Sequence, residues 1–216
     1  MKRMVLALAV ALTWLTPGWP ADDKAPAGFQ PLFNGKDLKG WTVLGGKLEA
    51  WGADNGILYT SGKGGGWLMT EKEYADFEIM LEYKVPEKGN SGVALRAPLE
   101  GDPAYKGMEI QILNDSWYKA NYKGLKPAQL TGSIYDVVPP AKEVTKPAGE
   151  WNKMHITAKG RHVTVVLNGT KIVEANLDDY KDRATRHPGL LRKDGHLGLQ
   201  SHTDRVEFRN VYVKPL

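Results

Sequence analysis

From Phe77 to Val85 the odd positions Phe77, Ile79, Leu81, Tyr83 and Val85 are apolar, while the even positions Glu78, Glu82 and Lys84 are charged and only Met80 is not. A repeat of two cannot be served by a helix, which scatters i and i+2 around its axis. An extended strand puts every second side chain on one face. This segment is therefore a strand with one face in a core. The same alternation is read over 93–97, 108–113, 154–158, 163–167, 197–202 and 206–213. Turn chemistry separates the strands. Asn168-Gly169 stands between the apolar runs Val165-Val166-Leu167 and Ile172-Val173, and both residues tolerate the positive φ that a two-residue hairpin turn demands.

The expected fold class is all-β, with about a dozen strands in two antiparallel sheets packed as a sandwich. Helical periodicity is scarce, and residues 177–185 are expected to form a short surface helix or an irregular loop. Pro139, Pro140 and Pro147 lack amide donors, so the stretch they bound is a loop between strands. A second long connection, 114–131, carries Trp117, Tyr118, Tyr122 and Asp115, and a connection of that length in a compact domain is more often functional than idle.

Ahead of this domain, Lys2 and Arg3 precede a nearly apolar run from Met4 to Leu15 and a Pro/Gly-rich exit ending at Ala21. That is the layout of a secretory signal, too short for a spanning helix. Residues 1–21 are expected to be removed, 22–28 to form a short linker and 29–216 to form one domain. The mature chain is expected to be secreted or periplasmic, with no membrane span. Removing Lys2 and Arg3 lowers the formal charge from +4 to +2, too weak a field to argue for nucleic acid. The chain has no cysteine, so disulfides, thiolate metal sites and cysteine nucleophiles are excluded.

Alternation also sorts the polar residues. If Met108, Ile110 and Ile112 fill the core, Glu109 and Gln111 share the opposite face. Inward Val93 and Leu95 place Arg96 outward, and inward Leu197 and Leu199 place His196, Gln200 and His202 outward. A carboxylate, imidazole, guanidinium and amides on one face suit a polyhydroxylated ligand, and an aromatic ring can stack on a sugar. An antiparallel sheet also keeps such residues merely solvated, and the alternation does not say that these strands are neighbours. Other patterns carry no chemistry. Ser61 to Gly66 lacks the Gly-Lys-Ser/Thr ending of a phosphate loop, the five histidines lack helical metal spacing, residues 178–182 lack the features of a calcium loop, and no Gly-x-Ser-x-Gly elbow occurs.

Several motifs, in order, resemble one family: Phe29 to Trp41, Asn90-Ser91-Gly92 ahead of Arg96, Gly107 to Ile112, Gly132 to Asp136, Glu150-Trp151-Asn152, and Gly195 to His202 through Phe208-Arg209-Asn210. It is the secreted bacterial 3-keto-disaccharide hydrolase family, also called 3-keto-glucoside 1,2-lyase/3-keto-2-hydroxy-glucal hydratase. The resemblance implies a two-sheet antiparallel jelly-roll sandwich of the concanavalin A-like lectin/glucanase type, with an open sugar groove. Glucanases of that fold group read Glu-x-Asp-x-Glu on the catalytic strand. Here Glu109 matches, Gln111 replaces the central acid and Asp115 lies beyond the second, so a carboxylate pair for double displacement is not expected.

What the resemblance implies is elimination. A ketone at C3 acidifies the C2 proton, a base removes it, the C1–oxygen bond breaks, and water adds back to give net glycoside hydrolysis. The expected catalytic set is Glu109, His202, Arg96 and Tyr135: Glu109 or His202 as base, Arg96 with Gln111 polarising the ketone, Tyr135 or His202 as acid. Gln111, Asp115, Gln200, Asn90 and Trp117 are the expected substrate-binding residues. No cofactor is assigned, although a divalent metal ion could take the polarising role. The substrate would be an oligosaccharide or 3-keto-glycoside, made by a separate glycoside 3-dehydrogenase. A non-catalytic carbohydrate-binding module and a purely structural envelope sandwich are the competing readings.

Overall fold

The computed structural model describes residues 25–216, and the expected export signal, 1–21, lies outside the described residues. The strands are β1 (Gln30–Pro31), β2 (Trp41–Leu44), β3 (Trp51–Asp54), β4 (Ile57–Thr60), β5 (Trp67–Tyr74), β6 (Phe77–Lys84), β7 (Asn90–Ala97), β8 (Met108–Leu113), β9 (Asn152–Lys159), β10 (His162–Leu167), β11 (Thr170–Asn176), β12 (Gly195–Gln200) and β13 (Val206–Pro215). An eight-stranded sheet has the order β11-β10-β9-β6-β13-β4-β3, with β1 on β13. A five-stranded sheet has the order β2-β5-β12-β7-β8. Their ladders are antiparallel, and the two sheets form the expected jelly-roll sandwich.

The period-two pattern places the core. Phe77, Ile79, Leu81 and Tyr83 of β6 are buried with Val93, Leu95, Ile110, Ile112 and Leu199 of the five-stranded sheet in one apolar cluster. Each such burial contributes roughly 1.5–3 kcal/mol. The 168–169 turn has positive φ at both residues (50° and 81°), as the hairpin requires.

The long connections are more ordered than alternation alone suggests. Asp102 caps a one-turn helix, α1 (Pro103–Lys106), and Asn114 caps α2 (Asp115–Asn121), whose side-chain oxygen accepts from the Trp117 N–H. The 177–183 segment is a 3-10 helix, within the range expected for it. Beyond α2 the chain returns along the free edge of β8: the Gly132 N–H donates to Gln111 O, Gln111 N–H to Ser133 O, and Tyr135 N–H to Glu109 O at 2.9 Å. The edge strand is thus covered by backbone.

Candidate active site

Register assembles the outer face of the five-stranded sheet. Leu44 pairs with Trp67, Trp67 with Gln200, and Gly92 with Gln111. Leu199 pairs with Val93, so Gln200 stands beside Gly92, and the Ser91 hydroxyl ties the Gln200 carbonyl at 2.7 Å. One row therefore runs Leu44, Trp67, Gln200, Gly92, Gln111 across the sheet. The next row runs Thr42, Met69, Gly198, Ala94, Glu109. Trp67, Met69, Ala94, Ala97 and Ala104 form a small apolar cluster of their own, a floor separate from the core.

Two cavities lie along this face. One, about 270 Å³, is lined by Asn90, Gln111, Tyr118, Tyr122, Gln129, Tyr135 and His202 among others. The other, about 450 Å³, is lined by Gly45, Gly65, Trp67, Asp102, Gln200 and His202 among others. His202 belongs to both. It lies just beyond β12, which ends at Gln200 and not at residue 202 as the alternation suggested, and is exposed.

Glu109 is 3% exposed and its Oε1 has no hydrogen-bond partner. Burial, reinforced by the charge of Asp102, pushes its carboxyl up to about 8. Asp102 lines the larger cavity, and Tyr135, whose phenol feels the Glu109 charge, lines the smaller. Glu109 itself lines neither cavity; its carboxyl lies over Gly92, on the row that carries Gln111 and Gln200. Tyr135 is held by backbone to Glu109 and by its neighbour Asp136, whose carboxylate is paired with Arg186 (3.1 Å) and Lys126 (3.6 Å). Its hydroxyl accepts from Gln129 Nε2 at 3.1 Å, which leaves the phenolic proton to donate, and burial above all pushes its titration upward, keeping it a donor. Gln111 uses Oε1 to accept the Ile112 N–H at 2.9 Å, so its amide N–H groups remain for a ligand. The Asn90 Oδ1 and Gln200 Oε1 are buried without partners and lie in the cavity walls.

Glu109, His202, Tyr135, Gln111, Gln200 and Asn90 are therefore brought together; three expected residues are not. Arg96 does not face the groove. His196 pairs with Ala97 and Gly198 with Ala94, so Leu95 and Arg96 oppose Leu197 alone, and Arg96 sits at φ 50°. This bulge breaks the parity that placed Arg96 outward and returns Ala97 to the outer face. The Arg96 guanidinium is fully buried, donating to Ala75 O, Gly160 O (both 2.8 Å) and Asp76 Oδ1 (3.1 Å). It fastens β7 to the link between β5 and β6, where the chain crosses from one sheet to the other, and to the β9–β10 turn. Asp115 is also buried, its Oδ1 accepting from the Thr131 N–H at 2.9 Å, and it holds the returning segment against the end of β8 instead of orienting substrate. Trp117 lies 5.8 Å beneath the Lys88 ammonium; because 115–121 is helical, its neighbour Tyr118 points elsewhere and takes the place in the cavity wall.

Trp67 and Gln129 carry no sign of this role in the sequence pattern, and Tyr118 and Tyr122 are marked only as parts of the long 114–131 connection. Tyr118 and Tyr122 carried a signal, the i, i+4 spacing of one helix face. Among the described residues, no three His, Asp or Glu side chains converge as a cation site. A further cavity of about 470 Å³ lies off this face, against β1, β4 and β13, but its Arg209 and Asn210 are committed to Glu82.

The fold and site define a class of protein by shape: a two-sheet jelly-roll sandwich whose outer face carries a cleft of amides and phenols beside a buried carboxyl. Residues 28–214 match the model of the 3-keto-alpha-glucoside-1,2-lyase-like domain, and the chain belongs to that family. It is similar to the 3-keto-disaccharide hydrolase of Bacteroides thetaiotaomicron, with 27% identity over 88% of this chain and 79% of the relative. A Parabacteroides distasonis structure described as a candidate glycosyl hydrolase is 30% identical, covering 87% of this chain and 99% of its own, with a TM-score of 0.74. A galectin-like Bacillus subtilis protein, 16% identical and covering 89% and 97% of the two chains at a TM-score of 0.58, shares the fold.

Proposed function

We propose that this protein hydrolyses 3-keto-glucosides by elimination and hydration, with Glu109 as the base. The observation that carries the reading is the Glu109 carboxyl, buried beside Gln111 with its Oε1 unpartnered and pushed up to about 8, within reach of the range where a proton-transfer group works best. Ionised Glu109 takes the C2 proton. The C–H electron pair passes into an enolate whose oxygen is held by Tyr135 and Gln111. Collapse of the enolate re-forms the ketone, makes the C1–C2 double bond and expels the C1 oxygen, which His202 protonates. Water then adds at C1 and a proton returns to C2, so that one water is consumed and one alcohol released.

Asn90 and Gln200 bind substrate hydroxyls in this scheme. A separate oxidation must supply the ketone, so the substrate comes from a glycoside 3-dehydrogenase, and the proposed location is extracytoplasmic. The test is aglycone release from matched glucosides with and without the 3-keto group, using the unaltered protein and Glu109→Gln. Release from the 3-keto form alone, lost in the variant, is the expected result. Binding of both glucosides without release would make the protein a carbohydrate-binding module.

A further inference from the structure

Tyr135 is set by more than the strand beside it. The next residue, Asp136, has φ 57°, a left-handed backbone that is uncommon outside glycine and costly unless it is held. Its N–H donates to Ala128 O at 2.7 Å. Its carboxylate, 8% exposed, meets Arg186 at 3.1 Å, Lys126 at 3.6 Å and the His187 ring at 3.7 Å. Arg186 and His187 come from the stretch between the 3-10 turns at 177–183 and 188–191.

The same stretch reaches Tyr135 by a second route. The buried His187 imidazole stacks on the Tyr105 ring at 5.0 Å and 27°, and Tyr105 meets Tyr135 edge to face at 6.3 Å. The Arg186 guanidinium lies 6.0 Å from the Tyr105 ring centre and within reach of its hydroxyl. The residues that follow are themselves fixed: a Cβ added at Gly189 would stand 1.8 Å from Gly107 O, and Arg161 donates to Leu190 O at 2.6 Å. One anchored segment therefore grips Tyr135 twice, through the backbone of Asp136 and through the ring of Tyr105.

Resting on the functional reading above, we propose that Asp136 is a positioning residue for Tyr135, with Arg186 as its lock. Stability is a weak reason for the cluster, since the Arg186 and Lys126 side chains are 64% and 61% exposed and ion pairs to such groups contribute little. The effect is on direction. With Asp136 held left-handed, the Tyr135 hydroxyl meets Gln129 in the cavity wall, where the enolate oxygen is to be bound. Once the turn is released the phenol drifts from that oxygen, so the loss falls on kcat more than on KM.

Asparagine matches aspartate in size and tolerates the same backbone, so Asp136→Asn removes the charge without forcing the turn. The experiment is a cycle of Asp136→Asn and Tyr135→Phe, with kcat and KM measured on one 3-keto-glucoside and folding checked by the melting transition. Asp136→Asn is expected to lower kcat about tenfold in the parent, with little change in KM, and less than about twofold in the Tyr135→Phe background. Arg186→Met should reproduce part of the loss and Arg186→Lys should restore most of it; a full kcat in Arg186→Met would overturn the part given to Arg186. An unchanged kcat in Asp136→Asn, or an equal loss in both backgrounds, would overturn the proposal while leaving the functional reading intact. Failure of the unaltered protein to turn over any 3-keto-glucoside would overturn that reading instead. Positioning would then be judged by the NMR signal of the carbon-13-labelled Tyr135 ζ-carbon, identified by its loss in Tyr135→Phe. A shift of that signal in Asp136→Asn supports the proposal, and an unmoved signal overturns it.

Discussion

The carboxyl of Glu109 occupies the space above Gly92 on the neighbouring strand: a Cβ added at Gly92 would stand 1.9 Å from Glu109 Oε1. Gly92 pairs with Gln111, and Gln200 lies on its other side, so the missing side chain is what lets the carboxyl lean across the sheet between the two amides. Gly92→Ala is expected to keep the fold and lower turnover of a 3-keto-glucoside about 100-fold, the scale of a displacement near 1 Å at a reacting group. Steady-state kinetics beside a melting curve would check it, and full activity would detach Gly92 from the site.

The raised Glu109 carboxyl has opposite consequences for rate and stability. As a base it works ionised, so kcat/KM should climb with pH through about 8. For stability, the unfolded chain releases this proton near the ordinary glutamate value of 4.5 while the folded chain holds it to about 8, so folding loses free energy as pH rises across that window. Glu109→Gln should therefore match the parent in stability near pH 4 and exceed it by at least about 2 kcal/mol at pH 9. Equal urea midpoints for the two proteins at both pH values would contradict the burial argument.

Tyr135 donates from a phenol whose oxygen already accepts from Gln129. Tyr135→Phe should lower kcat by roughly 10²-fold with less effect on KM, as expected for a donor that matters most once the enolate forms. Parallel assays with EDTA test the same role. Activity lost on chelation and restored by divalent ions would hand the ketone oxygen to a cation.

Arg96 belongs to stability. Removing the guanidinium leaves two carbonyls without this donor and takes the ion pair from Asp76, which keeps only the Gly160 N–H, and Arg96→Met is expected to cost about 3 kcal/mol. Active-site titration should show that the fraction still folded turns over at close to the parent rate. A large drop in kcat per folded molecule at unchanged stability would return Arg96 to the chemistry.

What was legible in the sequence is what short-range pattern controls. Glu109 and Gln111 share a face because they stand two positions apart on an unbroken strand, and Asn168-Gly169 turns because of its own backbone preferences. Arg96 was misplaced because its bulge is a property of the β7–β12 pairing, and no local pattern announces an extra residue. Asp115 and Trp117 were misjudged for a related reason: treated as parts of an open loop, they are the first turn of a capped helix whose neighbouring positions diverge. The perturbed carboxyl was also out of reach, since its cause is burial assembled from distant segments.

The strip from Gly132 to Tyr135 gives the strand that carries Glu109 an insulated margin. β8 ends its sheet, and an uncovered end strand would invite another chain to add itself alongside, carrying Glu109 and Gln111 into an intermolecular ladder. With those backbone groups already spoken for, growth by strand addition is blocked on the side where Glu109 sits. A reactive cleft can therefore lie close to the border of an open sheet at high local protein concentration without the border becoming a seed for fibres.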